Sequence, residues 1–270
     1  MLRFFRRRSR QVVSAMVPCA GVLLALPSAC DHARSETLDE DAPFEIVATF
    51  PHDTGAYTQG LIWTDRVLYE STGRYGDSEV RIVEMASGRV LRRTALASNR
   101  FGEGLALLGG KLYQLTWESG VGYVYDAATL APLDSFTYKG EGWGLATDGR
   151  SLIMSDGSDS LRWITPGTWA TEKVVRVRYQ DSPLTKLNEL EFIDGEVWAN
   201  VYESDWVVRI DPSTGTVREM LDFAALWPRG ERPYRVDVMN GIARAPSPGH
   251  LLLTGKLWPS MYAVRLKGKR

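Results

Sequence analysis

The chain has 270 residues, 44% of them apolar and 24% charged, which is ordinary globular material able to bury one large core or two small ones. Its formal net charge of -1 becomes -6 once the five arginines of the first thirty residues (Arg3, Arg6, Arg7, Arg8, Arg10) are set aside, since no acid accompanies them. A mildly acidic body gives no electrostatic reason for nucleic-acid binding. The only two cysteines, Cys19 and Cys30, lie in that opening segment, which excludes disulfides, thiol nucleophiles and thiolate metal sites from the rest.

The basic start is followed by Val12, Val13 and an apolar run over residues 16–26, too short to span a bilayer and suited to the core of an export signal. Residues 1–30 are therefore read as a signal, 31–43 as a linker and 44–270 as the folded domain. Leu26-Pro27-Ser28-Ala29-Cys30 resembles a lipoprotein box in which Cys30 would be acylated. Cleavage after Ala29 by the ordinary peptidase is the competing reading. Either way the domain is exported, to the periplasm or cell envelope, and would meet a membrane only through a lipid at Cys30.

Beyond the linker, aromatic and β-branched runs broken by Gly, Asp, Ser and Pro recur throughout, predicting a nearly all-β chain with one short helical exception near residues 222–227. The first strand is Phe44-Glu45-Ile46-Val47-Ala48-Thr49-Phe50. After it comes a unit that repeats every 40 to 54 residues or so, close to the period of propeller blades. Its later strand starts are Leu68, Leu112, Leu152, Val197 and Leu251. Ahead of each stands a second short strand: Gln59-Gly60-Leu61, Glu103-Gly104-Leu105, Trp143-Gly144-Leu145, Asn188-Glu189-Leu190 and Asn240-Gly241-Ile242. Four repeats continue with a strand, a turn such as Asp211-Pro212-Ser213-Thr214-Gly215, and another strand. The fifth lacks its last strand, and the segment at residues 44–50 would supply it. The expected fold is a five-bladed β-propeller whose ring is closed by the N-terminal strand, a closure that removes open sheet edges.

In a propeller the innermost strands line the central channel, so equivalent repeat positions become neighbours. The first ring so formed is Gln59, Glu103, Trp143, Asn188 and Asn240. A second, five residues past the later strand starts, is Gly73, Trp117, Gly157, Tyr202 and Lys256. Tyr57 and Phe101, each two residues ahead of a first-ring member, would extend an apolar rim. One acid, one cation, several amides and several aromatics in a small space have the anatomy of a site for a small molecule or a peptide end. Each member also has a blander reading: Glu103 as a surface carboxylate, Lys256 as its ion-pair partner, the aromatics as core, and Asn188 and Asn240 as turn-binding amides. His32, His52 and His250 are too scattered in sequence to suggest a metal cluster.

The ordered set Phe50-Pro51-His52-Asp53, Tyr57-Thr58-Gln59-Gly60-Leu61, Tyr69-Glu70-Ser71-Thr72-Gly73, Phe101-Gly102-Glu103-Gly104-Leu105, Asn188-Glu189-Leu190-Glu191, Trp198-Ala199-Asn200-Val201, residues 236–243 and Leu253-Thr254-Gly255-Lys256-Leu257-Trp258-Pro259 resembles the plant and bacterial glutaminyl-peptide cyclotransferases. It covers all five repeats in order. The resemblance implies cyclisation of an N-terminal glutamine to pyroglutamate with release of ammonia, on a peptide or protein substrate, with no cofactor required for catalysis. It further implies Glu103 as proton shuttle, Lys256 as the catalytic cation, and Gln59, Trp117, Trp143 and Asn188 in the substrate pocket. A structural calcium is compatible with the family, and a monomer is expected. Tyr202 stands where the family would have tryptophan, and Tyr57 where relatives have phenylalanine. The rival readings are a propeller that only binds ligands or partners, and a metal-dependent propeller hydrolase.

Overall fold

A computed structural model describes residues 42–64 and 66–268. The expected export signal, nearly all of the linker, and Cys30 lie outside the described residues.

Five four-stranded antiparallel sheets follow one another along the chain. Blade I comprises Thr58–Trp63, Leu68–Thr72, Glu79–Glu84 and Arg89–Ala95; blade II comprises Gly102–Leu108, Lys111–Thr116, Val121–Asp126 and Pro132–Thr137. Blade III comprises Leu145–Thr147, Leu152–Ser155, Ser160–Ile164 and Thr171–Arg176; blade IV comprises Leu187–Ile193, Glu196–Val201, Trp206–Ile210 and Val217–Asp222. Blade V runs Met239–Arg244, His250–Gly255 and Ser260–Leu266, and its outermost strand is Phe44–Pro51 from the other end of the domain. The register Phe44↔Leu266 to Pro51↔Ser260, with one irregularity between Ile46 and Ala48, is the expected ring closure. Phe44 is wholly buried against Phe223, with ring centroids 4.9 Å apart. Burying such a side chain contributes about 1.5–3 kcal/mol, which fastens the closing strand against the end of blade IV.

The core is divided into five clusters, each sandwiched between two adjacent blades. This explains why second strands such as Leu68–Thr72 and Glu196–Val201 are buried along their whole length: both faces of each sheet are covered. The outermost strands face a neighbour less closely and alternate or turn polar, as in Arg89–Ala95.

Three features depart from the sequence reading. The short helical segment near residues 222–227 is only a 3-10 turn, Ala224–Leu226, followed by another at Arg229–Glu231. An extra hairpin joins Arg178–Tyr179 to Ser182–Pro183 across Gln180 and Asp181, both at positive φ (48° and 64°) as a primed turn requires. The inner strand of blade III begins at Leu145, so Trp143 and Gly144 precede it. The Trp143 carbonyl accepts the Gly104 N–H at 2.7 Å, which ties this segment to blade II, while the Trp143 N–H donates to the Ser155 carbonyl (3.1 Å) and the Gly144 carbonyl accepts the Ser155 N–H (3.0 Å), which keep it paired with the second strand of its own blade.

The other four inner strands share a break in pairing at the predicted site positions. The register shifts between Thr58 and Gly60, Gly102 and Leu105, Leu187 and Leu190, and Met239 and Ile242, leaving Gln59, Glu103, Asn188 and Asn240 inside the bulges. A bulge re-aims side chains that a regular strand would send into the sheet packing. The glycine after the ring residue allows adjacent inner strands to approach the axis: a Cβ on Gly144 would lie 1.9 Å from the Asn188 carbonyl oxygen.

Candidate active site

At one end of the channel a cavity of about 220 Å³ is lined by Tyr57, Gln59, Phe101, Glu103, Trp117, Trp143, Asn188, Tyr202 and Lys256. Nine of the ten predicted site residues thus converge, across blades whose chain positions span two hundred residues. The volume is below the ~300–1,000 Å³ of pockets for drug-sized ligands, which restricts it to something near one amino-acid residue. A larger groove of about 560 Å³ opens between blades II and III beside Phe136 and Trp169, but its lining holds no carboxyl group.

Asn240 is the exception. It is completely buried, and its amide N–H₂ donates to the Thr58 carbonyl (2.9 Å) and to Gln59 Oε1 (3.0 Å). Repeat equivalence puts it in the ring, but those two acceptors on blade I draw it beneath Gln59, away from the cavity. It lies outside the cavity lining and holds a pocket residue in place.

With its oxygen held by Asn240, Gln59 turns its Nε2 to donate to Glu103 Oε1 at 2.8 Å. Glu103 is 4% exposed, so the surface-carboxylate reading fails. Burial pushes its carboxyl well above the usual carboxylate range; Lys256 opposes the shift and Glu141 adds to it. Desolvation therefore wins the contest with the lysine. Beneath Glu103, its backbone carbonyl accepts from Ser71 Oγ, which accepts from Gln114 Nε2 (2.8 Å), whose oxygen accepts from Tyr125 Oη (2.9 Å). This relay of buried hydrogen bonds fixes the bulge that carries the acid.

Lys256 is 3% exposed and makes no direct ion pair with Glu103. Its Nζ lies 4.8 Å from the Tyr57 ring centroid and 5.0 Å from that of Tyr202. Burial lowers its pKa, while Glu103 and Asp237 pull the other way. The tyrosines at Tyr57 and Tyr202 thus retain the aromatic faces their positions demand. Asn188 is buried, and its Oδ1 is without a partner, an acceptor left for whatever fills the cavity.

The walls form an almost continuous aromatic collar. Tyr57 meets Phe101 (6.0 Å, interplanar 88°), Phe101 meets Trp117 (5.7 Å, 64°), and Trp143 meets Tyr202 (5.5 Å, 83°). The two glycines of the second ring make room for it. A Cβ on Gly73 would lie 2.2 Å from Phe101 Cε1, and one on Gly157 2.7 Å from Trp143 Cζ2.

Two acids of the surroundings escaped the sequence reading. Glu141 Oε2 accepts both indole N–H groups, from Trp117 and from Trp143, at 2.8 Å each. Asp237 Oδ2 accepts from Tyr57 Oη at 2.7 Å, so the hydroxyl that distinguishes Tyr57 from phenylalanine has a dedicated partner. Tyr57→Phe removes that bond but keeps the ring under Lys256. The expected loss is about 0.5–1.5 kcal/mol of stability with kcat/KM within tenfold of the parent, checked by thermal melting and steady-state assay.

Among the described residues, no three His, Cys, Asp or Glu side chains are grouped as a metal site. His52 binds Glu70 instead, in a buried network on the blade I side.

The glutamine cyclotransferase family model matches residues 20–266. The glutaminyl-peptide cyclotransferase of Arabidopsis thaliana is 42% identical over 229 residues, 83% of this chain and 71% of that protein. The crystal structure of Myxococcus xanthus glutaminyl cyclase superposes with a TM-score of 0.78 at 36% identity, covering 84% of this chain and all but 3% of that one (97%). Sequence, fold and matched length agree, and the chain belongs to the glutamine cyclotransferase family.

Proposed function

We propose that this chain is a glutaminyl-peptide cyclotransferase that converts the N-terminal glutamine of peptides and proteins to pyroglutamate and releases ammonia. The observation that carries this reading is a buried carboxylic acid, Glu103, held by Gln59 inside a residue-sized aromatic cavity beside a desolvated lysine. A propeller that only binds would have no need to keep an acid in so costly a place.

The reaction makes one bond and breaks one. The neutral α-amine attacks the γ-carboxamide carbon, closing a five-membered ring, and the carbon–nitrogen bond to the amide nitrogen breaks. The attacking nitrogen sheds one proton and the departing nitrogen gains one, so a single group can serve both transfers. Glu103, whose burial favours the protonated form, donates to the leaving nitrogen and recovers a proton from the ring nitrogen. The Lys256 ammonium stabilises the oxyanion that forms at the attacked carbon. Trp117, Trp143 and Tyr202 fold the glutamine side chain back toward its own amine, and for an intramolecular reaction that restriction supplies much of the rate. The Asn188 oxygen is the acceptor for an N–H of the reacting carboxamide.

The test is ammonia release from a glutamine-initiated dipeptide, with and without a chelator. Release that survives the chelator is the expected result. Absence of release would leave the binding-only propeller, and chelator-sensitive release would revive the metal-dependent hydrolase. The residues ahead of the propeller add that the enzyme is exported, to the periplasm or envelope. Intact mass of the protein from its own envelope distinguishes acylation at Cys30 from simple cleavage.

A further inference from the structure

Along the collar from Tyr57 to Tyr202, direct ring contacts run from Tyr57 through Phe101 to Trp117 and again from Trp143 to Tyr202, with a break where Trp117 passes to Trp143. There the link is a carboxylate. One oxygen, Glu141 Oε2, receives the N–H of both indoles at equal 2.8 Å distances, and Glu141 is not among the residues that line the cavity. The two tryptophans come from different parts of the ring. Trp117 follows the second strand of blade II, and Trp143 precedes the first strand of blade III. Glu141 sits on the connection between these blades, at Gly140-Glu141-Gly142. That connection has little freedom: the Gly142 N–H donates to the Trp117 carbonyl at 2.9 Å, and a Cβ on Gly142 would lie 2.6 Å from Tyr138 Oη.

An indole N–H in a partly buried place needs an acceptor. If none were supplied from behind, each would turn toward acceptors in the cavity, among them the Asn188 oxygen and that of a bound carboxamide. Two hydrogen bonds to a single fixed oxygen set both ring planes at once and keep both donors outside the cavity. The walls that remain are carbon surfaces, suited to confining a side chain without competing for its amide.

Resting on the cyclotransferase reading above, we propose that Glu141 is a positioning residue for the reaction, a clamp whose single oxygen orients Trp117 and Trp143 into the conformation that folds the substrate's glutamine side chain. It acts through the tryptophans and does not touch substrate. Its contribution comes from reach more than from charge, and two conservative variants separate these. Glu141→Gln keeps the length and an oxygen acceptor but loses the charge. Glu141→Asp keeps the charge but is one methylene short of bridging the two indoles.

The expected order is that E141Q stays within about fivefold of the parent kcat/KM for a glutamine-initiated dipeptide, whereas E141D falls by about 10²-fold, the scale of a misplacement near 1 Å. The loss in E141D should fall on kcat as well as KM, since a misfolded substrate binds without reacting. In a ¹⁵N–¹H spectrum the nine tryptophans give nine indole signals, and E141D should shift two of them, with W117F and W143F assigning which. The reverse order, E141D active and E141Q impaired, would make charge the essential property and overturn the clamp, as would an E141D spectrum with no indole shift. The spectrum decides this even if the parent protein releases no ammonia, an outcome that would sink the cyclotransferase reading on its own.

Discussion

Glu103→Gln should lower kcat by roughly 10²- to 10⁴-fold, the range a positioned acid–base group supplies, and should do so without loosening the fold. The amide is isosteric and can still accept from Gln59 Nε2, so the bulge, the Ser71 contact and the cavity shape survive. What vanishes is the exchangeable proton that must pass from one nitrogen to the other. Stability supplies an independent check. A carboxyl whose folded pKa is raised holds its proton more tightly folded than unfolded. Its contribution to stability is therefore complete below the ordinary carboxylate value and declines as pH rises toward the raised one. The Gln variant has no such decline, so its melting temperature should match or exceed that of the parent at neutral and mildly alkaline pH. Activity down and stability level or up is the mark of a group held at a cost for chemistry. A variant that retains most of the parent rate would remove Glu103 from the mechanism. In the parent, kcat should also fall on the alkaline side as Glu103 loses its proton, while kcat/KM rises from the acid side as the α-amine, with an ordinary pKa of about 7.7–8.0, is freed.

Much of this site was legible because a propeller solves one packing problem five times, so register in the repeat becomes position in the ring. Gln59, Glu103, Trp143 and Asn188 follow from that rule, and so do Trp117, Tyr202 and Lys256. The rule fails where residues leave the register. Glu141 lies in a connection between blades, outside any repeated strand, and only its glycine neighbours resembled the Gly102-Glu103-Gly104 segment that did attract notice. Asn240 obeys the repeat in sequence, but the free acceptors on Thr58 and Gln59 decide where its amide points, and no pattern along one strand contains that information. Glu189 stands where the other four repeats have glycine. The structure shows why a larger residue is accommodated there: its carboxylate reaches across the axis to accept the Ile242 N–H (2.8 Å) and the Leu61 N–H (3.2 Å), joining blade IV to blades V and I. That break in the repeated glycine was a readable signal. The balance between burial and Lys256 at Glu103 was not readable, because it depends on depth, and depth is a property of the assembled ring.

The largest structural effect is expected from Glu70, a residue with no exposure at all on the second strand of blade I. Its two oxygens accept from Thr58 Oγ1 (2.7 Å), His52 Nε2 (3.0 Å), and Arg81 Nε (3.0 Å) and Nη2 (2.8 Å). Burial alone would raise its pKa, but Arg81 and His52 together hold it well below the carboxylate range. Burial likewise works against a charged His52, yet Glu70 and the Trp258 carbonyl leave the imidazole above its ordinary value. Glu70→Ala strands Arg81 and His52 in a dry interior, and breaking a buried pair in this way costs about 3–5 kcal/mol, measurable as a lower denaturant midpoint. A loss under 1 kcal/mol would mean that Asp53, which already holds Arg81 at 2.8 Å, can take over the whole network. The signs of the two shifts also set the pH response. The Glu70 contribution is present above the ordinary carboxylate pKa and is lost only as pH falls through its depressed value, whereas that of His52 is present below about 6.5 and fades as pH rises through its raised value. The parent should therefore resist acid better than E70A. Activity should follow stability here, because Thr58, anchored by Glu70, precedes Gln59 in the bulge and its carbonyl receives Asn240. Ring closure, the His52 segment that follows the closing strand, and the amide that holds Glu103 all meet at this one buried carboxylate, so a single truncation should disturb all three.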